Sequence, residues 1–150
     1  MTTRYPVQIQ TKREDGRLIV KATTSIERIA QIRQNPDQEL RAIELDCQLA
    51  LVTAREAISF GSNTRRRDPR AFWFAAKALR EFLERLKDSG FYLVQQNDSL
   101  GAALEVSGVS VKKLLAFHKR FPDVRLVDPS ISWKKYRDNQ VSRQPITVQR

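Results

Sequence analysis

One cysteine and one histidine occur in 150 residues, and each scarcity closes off a class of chemistry. A lone Cys47 can form neither an intrachain disulfide nor a cysteine-based zinc site. It falls at an apolar position of a predicted helix, where a buried, inert thiol is expected. His118 stands among lysines, and nothing points to a carboxylate that would orient it in a Ser–His or Cys–His pair. No Walker loop, Gly-rich dinucleotide turn or H-E-x-x-H segment is present, so no cofactor or metal is implied. Glu44 and Asp46 are two apart and diverge on a helix, a poor metal pair. Glu81, Glu84 and Asp88 alternate with Arg80, Arg85 and Lys87, as on a solvated ion-pair surface. The expectation is a protein that is not an enzyme.

Long apolar runs are missing too. No stretch approaches the ~18 residues that a membrane helix needs. The opening MTTRYPVQIQ has no apolar segment of the kind a signal peptide carries. No internal repeat or low-complexity tract is visible. A cytoplasmic protein without a membrane partner is expected.

What is abundant is positive charge. Lys and Arg number 27 against 17 Asp and Glu, a net of +10. Such a surplus attracts polyanions, nucleic acid first among them. Its placement is uneven. Residues 1–60 hold 9 basic and 8 acidic residues, a net of +1, whereas 61–150 hold 18 and 9, a net of +9. The first part reads as scaffold and the second as the electrostatic footprint.

Residues 5–23 read as a β-hairpin. Val7, Ile9 and Thr11 alternate with polar neighbours, as do Leu18, Val20 and Ala22, and Asp15-Gly16 suits a turn with positive φ. Thr24 to Glu27, T-S-I-E, has the form of a capping box and predicts a helix from Thr24, with Ile26, Ile29, Ala30 and Ile32 on its apolar side. Asn35-Pro36 stops it and starts a second helix to about Phe60, with Gly61 as its C-terminal cap. Leu40, Ile43, Cys47, Ala50, Ala54 and Ile58 form one stripe of that helix. Leu45, Leu49 and Val52 widen it, so more than one neighbour must cover the helix. Asp68-Pro69 opens a third helix through about Asp88, with Phe72, Ala75, Ala76, Leu79, Phe82, Leu83 and Leu86 at unbroken helical spacing. Gly90 ends it, and a short strand over 91–95 is positioned to join the hairpin.

Three basic elements follow. Arg65, Arg66, Arg67 and Arg70, continued by Lys77 and Arg80 on the third helix, are placed as a phosphate clamp or as a solvated loop, since the helix dipole favours acids at that end. Trp73 beside them suits core packing more than stacking on a base. The tail carries Trp133, Lys134, Lys135, Tyr136 and Arg137, then Arg143 and Arg150. Its aromatics either stack on unpaired bases or anchor a strap across the domain.

The sharpest local pattern is DSLGAALEVSGVSVKKLLAFHKRF, residues 98–121. It resembles a helix-turn-helix DNA-binding motif, and the resemblance covers these residues alone. It implies a first helix capped by Asp98, a turn at Gly108, and a second helix capped by Ser110 whose inner face holds Leu114, Leu115 and Phe117 or His118. Ser110, Val111, Lys112 and Ala116 would then face base edges, while Lys113, Lys119 and Arg120 reach phosphates. Leu104 stands where Ala is usual and would crowd the helix crossing. Gly101 costs that helix about 1 kcal/mol relative to Ala. The same residues also suit a plain helical hairpin closed at Gly108. The recognition face lacks the Asn, Gln or Arg best suited to bidentate base reading, so phosphate binding is expected to dominate.

The expected fold is mainly α: a helical bundle with an N-terminal β-hairpin and a helix-turn-helix-like segment. A single domain over 1–128 and a basic arm over 129–150 complete it. The expected function is nucleic-acid binding, DNA ahead of RNA, as a homodimer or within a larger nucleoprotein complex. A basic structural subunit of a ribonucleoprotein machine, of the CRISPR-effector type, is the alternative on grounds of size and charge. A protein–protein adaptor with an acidic partner is a third.

Overall fold

The structure is a computed structural model that describes residues 4–63 and 68–141. It is mostly helical, with a small three-stranded sheet near the N-terminus. Strands β1 (Tyr5–Glu14) and β2 (Arg17–Thr23) pair antiparallel, with Glu14 opposite Arg17 and Ile9 opposite Ala22. Asp15 and Gly16 both have positive φ, 51° and 76°, the two-residue turn whose twist matches the flanking strands. The alternation read from sequence puts Val7, Leu18, Val20 and Ala22 on the buried face.

The helix expected from Thr24 is not there. The Thr24 hydroxyl accepts from the Ile26 amide, and helix α1 is a single turn, Ile29–Ile32, with no side-chain cap. None of its residues is buried, and a helix that short is not stable without packing. Arg33, just beyond it, grips the Glu39 carboxylate and donates to the Ser89 carbonyl at 2.9 Å.

Helix α2 (Pro36–Asn63) and helix α3 (Pro69–Asp88) form the centre. Gly61 is not a terminal cap but lies inside α2, buried, where a Cβ would fall 2.7 Å from the Phe72 ring. The glycine lets α2 and α3 approach closely. Asp68 caps α3 as expected, accepting from the Arg70 amide with Pro69 at the first position. Strand β3 (Phe91–Leu93) then pairs parallel to β1, Tyr5 opposite Phe91, giving sheet order β2-β1-β3. No helix among the described residues is long and apolar enough to cross a membrane.

Helices α4 (Gln96–Leu104) and α5 (Gly108–Arg120) follow, joined by three residues. The joint differs from expectation at each of its three marked residues. Asp98 lies in the first turn of α4, whose cap is Gln95. The left-handed turn residue is Glu105, φ 60°, and the Val106 amide reaches back to the Gly101 carbonyl at 2.9 Å, a Schellman-type closure. Gly108 is the first residue of α5, and its cap is Ser107 rather than Ser110; the Ser107 hydroxyl accepts from the Ser110 amide at 3.1 Å. Two serines three apart both fit the cap pattern, and the chain uses the earlier one. Gly108 packs closely on the start of α4: a Cβ there would lie 3.2 Å from the Asp98 backbone nitrogen and would push the Asp98 carboxylate aside. A 3₁₀ turn, Val124–Leu126, leads to the short helix α6 (Trp133–Arg137).

Gly101 illustrates how tight the joint is. A Cβ on it would lie 2.7 Å from the Val106 carbonyl oxygen, a backbone atom with no rotamer to yield. Gly101→Ala should therefore destabilise the protein by about 1–3 kcal/mol, the usual cost of overpacking. At an open helix position the same change gains about 1 kcal/mol. Urea unfolding midpoints decide between the two signs, and a gain in stability would show that the joint is looser than described.

Candidate nucleic-acid interface

Helix α5 divides into faces by its own periodicity. Val111, Leu114 and Phe117 are buried, continued by Phe121. Val109, Lys112 and Ala116 are exposed and recur with Lys119 at helical spacing, so they form one open stripe. Val111 is thus on the core side and cannot reach a base edge, and Leu115 is only partly buried, toward α3. Ser110 is half-buried, with its hydroxyl 3.0 Å from that of Ser107.

The flanks of the stripe are basic. On one side, α3 lies against α5: the Trp73 indole lies tilted against His118, centroids 4.9 Å apart, and Arg80 donates to the Leu115 carbonyl at 3.4 Å. Lys77 sits 6.0 Å over the Trp73 ring on the same side. Trp73 itself is buried and donates to the Phe121 carbonyl at 2.6 Å, so its ring belongs to the core.

On the other side, α6 and α5 enclose a groove of about 530 Å³. Lys112, Lys113, Arg120 and Arg137 line it above Phe117 and Tyr136. Asp138 sits among these cations, 3.4 Å from Lys113 and 3.2 Å from Arg137. The hydrogen bonds from Arg137 and Lys113 hold its carboxyl below the usual carboxylate range. Arg120 donates to the Val141 carbonyl and lies 5.1 Å over the Phe121 ring. Lys113, Arg120 and Arg137 are therefore committed, while Lys112, Lys119, Lys134 and Lys135 make no ion pair among the described residues.

The other basic elements fare differently. Arg65, Arg66 and Arg67 lie outside the described residues, as do Arg143 and Arg150. Arg70 is folded back in a bidentate pair with Asp68, 2.8 Å at the closest. In the tail, Trp133 stacks on Phe72 at 4.5 Å, and the Tyr136 hydroxyl accepts from the Asp128 amide at 2.7 Å. Both rings are buried, so they anchor a strap across the domain and neither offers a face to a base. Asp138 is the site residue that sequence reasoning misses. Its one signal is that it is the single acid in the segment WKKYRDNQ.

Cys47 is buried as expected, and burial pushes its thiol up to about 12. Protein-family models, curated proteins and solved structures yield no match to this chain.

His118 supplies a measurable handle on the α3–α5 packing. Burial, then the nearby positive charge of Arg80, lowers its pKa below 6.5, against the pull of Glu84 and Glu81. The unfolded chain therefore takes up this proton first as pH falls. The neutral imidazole contributes stability fully present above about pH 6.5 and lost as pH falls through the lower native value. His118→Gln should flatten that part of the acid-side decline in unfolding midpoint. An NMR titration of the only histidine should give a native midpoint below 6.5, and one above it overturns the assignment.

Proposed function

We propose that this protein binds nucleic acid, duplex DNA first, through phosphate contacts made by α5 and its flanks, with little base reading and no catalysis. The observation that carries this is the open stripe of α5. Neither α5 nor α6 contains an acidic residue, while they hold four and three Lys or Arg respectively. Lys112 and Lys119 face outward with no carboxylate to neutralise them among the described residues. Lysines in this setting gain most from a polyanion that releases its counterions on binding. The helix-turn-helix reading of α4 and α5 fits the same face, because the stripe that would enter a groove about 12 Å wide is not covered by another described element. Its residues, Val109, Lys112, Ala116 and Lys119, include no bidentate base reader. Burial of Trp133 and Tyr136 weighs against the tail as a platform for unpaired bases; the ribonucleoprotein alternative rests on size and charge.

Lys112→Ala together with Lys119→Ala tests the proposal. Both side chains are at the surface, so stability should stay within about 0.5 kcal/mol. Affinity for duplex DNA should fall alike on different sequences. The slope of log affinity against log salt should become shallower by about 0.9 for each phosphate that is no longer neutralised. Fluorescence anisotropy at several salt concentrations reads both. Unchanged affinity would sink the proposal for this face.

A further inference from the structure

Helix α2 carries four of the large apolar side chains left exposed among the described residues. Leu45, Leu49, Val52 and Phe60 are 64%, 69%, 37% and 64% exposed, although the chain buries Ile43, Cys47, Ala50, Leu51 and Ala54 of the same helix. Together they present roughly 400 Å² of apolar surface, the size of patch that on monomers is often functional. The steps from Leu45 to Leu49 to Val52 to Glu56 are four, three and four residues, the spacing of a seam between two helices. The sequence pattern calls for a neighbour over Leu45, Leu49 and Val52, and no described element of this chain supplies it.

The charges of α2 narrow down what the neighbour is. Between Ala42 and Asn63 the helix has four charged residues, and three of them serve its own chain. Glu44 accepts from the Ala22 amide at 2.7 Å, Asp46 pairs with Arg85 at 2.7 Å, and Arg55 pairs with Glu105 at 3.2 Å. Only Glu56 remains, and Arg41 stands at the other end of the stripe. Both are exposed, and neither makes an ion pair among the described residues.

We propose that the α2 stripe is the interface with a second copy of this chain, packed antiparallel. Reversing α2 about a point between Gln48 and Leu49 sets Leu45 against the partner's Val52 and brings the two Leu49 side chains together at the axis. The same operation sets Arg41 opposite the partner's Glu56, twice by symmetry. A parallel pair instead places Glu56 beside Glu56 and Arg41 beside Arg41, like charges at both ends. A 28-residue helix is about 42 Å long, so the stripe fits within the overlap. Two such faces with their polar flanks bury about the 1,000 Å² that a specific interface needs. The net +10 of the chain does not oppose this, because the surplus lies beyond residue 60. The proposal does not depend on α5 binding nucleic acid.

Sedimentation equilibrium of the full chain from about 1 to 100 µM tests it, without nucleic acid and at moderate salt. The wild type should give twice 17.3 kDa at the upper end. Leu49→Glu should give a monomer with an unchanged far-ultraviolet circular dichroism spectrum, since the side chain lies outside the core. Arg41→Glu and Glu56→Arg should each weaken the dimer about tenfold or more, and the double variant should restore it. A wild type that stays monomeric at 100 µM overturns the proposal and assigns the stripe to a different protein. A dimer that survives Leu49→Glu places the interface elsewhere. Failure of the double variant to recover overturns the antiparallel register.

Discussion

Helix α3 has to satisfy three neighbouring helices and the sheet at once, and nearly every other element is positioned by how it does so. Ala71, Phe72, Trp73, Ala75, Ala76, Leu79, Phe82 and Leu86 are all buried and span an arc of about 200°, while Glu81, Glu84, Arg85 and Asp88 keep the other face in water. An apolar arc that wide needs more than one neighbour to cover it. Gly61 lets α2 close on it at Phe72, Trp73 ties it to the end of α5 through the Phe121 carbonyl, and Trp133 of α6 stacks on Phe72. Removing any one of these three would leave aromatic surface open on α3. The two tryptophans, which in a basic protein invite a reading as base-stacking groups, are consumed by this enclosure.

The same enclosure decides which charges are available. Cations that lie near an element boundary are drawn into local pairs: Arg70 to Asp68, Arg125 to Asp123, Arg33 to Glu39. Pairs at or near the surface are worth little in stability, but they take the guanidinium out of the free positive surface. Lys112, Lys119, Lys134 and Lys135 stay unpaired on α5 and α6, two helices with no acid of their own, while the other unpaired cations, Arg4, Arg17, Lys21, Arg28, Arg41, Lys77 and Lys87, are scattered over the rest of the described chain. A net charge therefore overstates the binding surface, and the uncommitted lysines describe it better.

Legibility from sequence followed how local each determinant is. Asp15-Gly16 and Asp68-Pro69 act within their own turns, and the hairpin turn and the start of α3 were readable to the residue. The capping pattern at Thr24 was equally local but had no apolar partner to pack against, and β2 runs through Thr23 before the chain turns. The α4–α5 joint was misplaced because Gly108 looked like a turn residue. It is instead the first residue of α5, packed near Asp98 ten positions away, and a contact of that kind leaves no periodic mark. Glu105 takes the left-handed position that a glycine usually holds. The burial of Trp133 and Tyr136 was undecidable because five helical residues are too few to show a stripe. The candidate face on α5 was visible as a run of lysines, but Val111 and Lys112 could be assigned to opposite faces only once the helix start was known.

The exposed stripe of α2 and the exposed stripe of α5 are related through α3. Arg85 of α3 reaches Asp46 on α2, and Arg80 reaches the Leu115 carbonyl on α5. Those two arginines are five residues apart, or about 140° around the helix. α2 and α5 thus pack on different flanks of α3, and each exposed stripe faces away from the core that α3 shares with both. Pairing through α2 would leave two copies of α5 exposed, each with Lys112 and Lys119 outward. The spacing between them would be set by packed helices rather than by a linker, which is what a duplex with two fixed contact points demands. A mobile connection would spread that spacing over many values and forfeit the gain from engaging both faces at once. Close packing of α2 and α5 on α3, at Gly61 and Trp73, is therefore the property on which paired binding would rest.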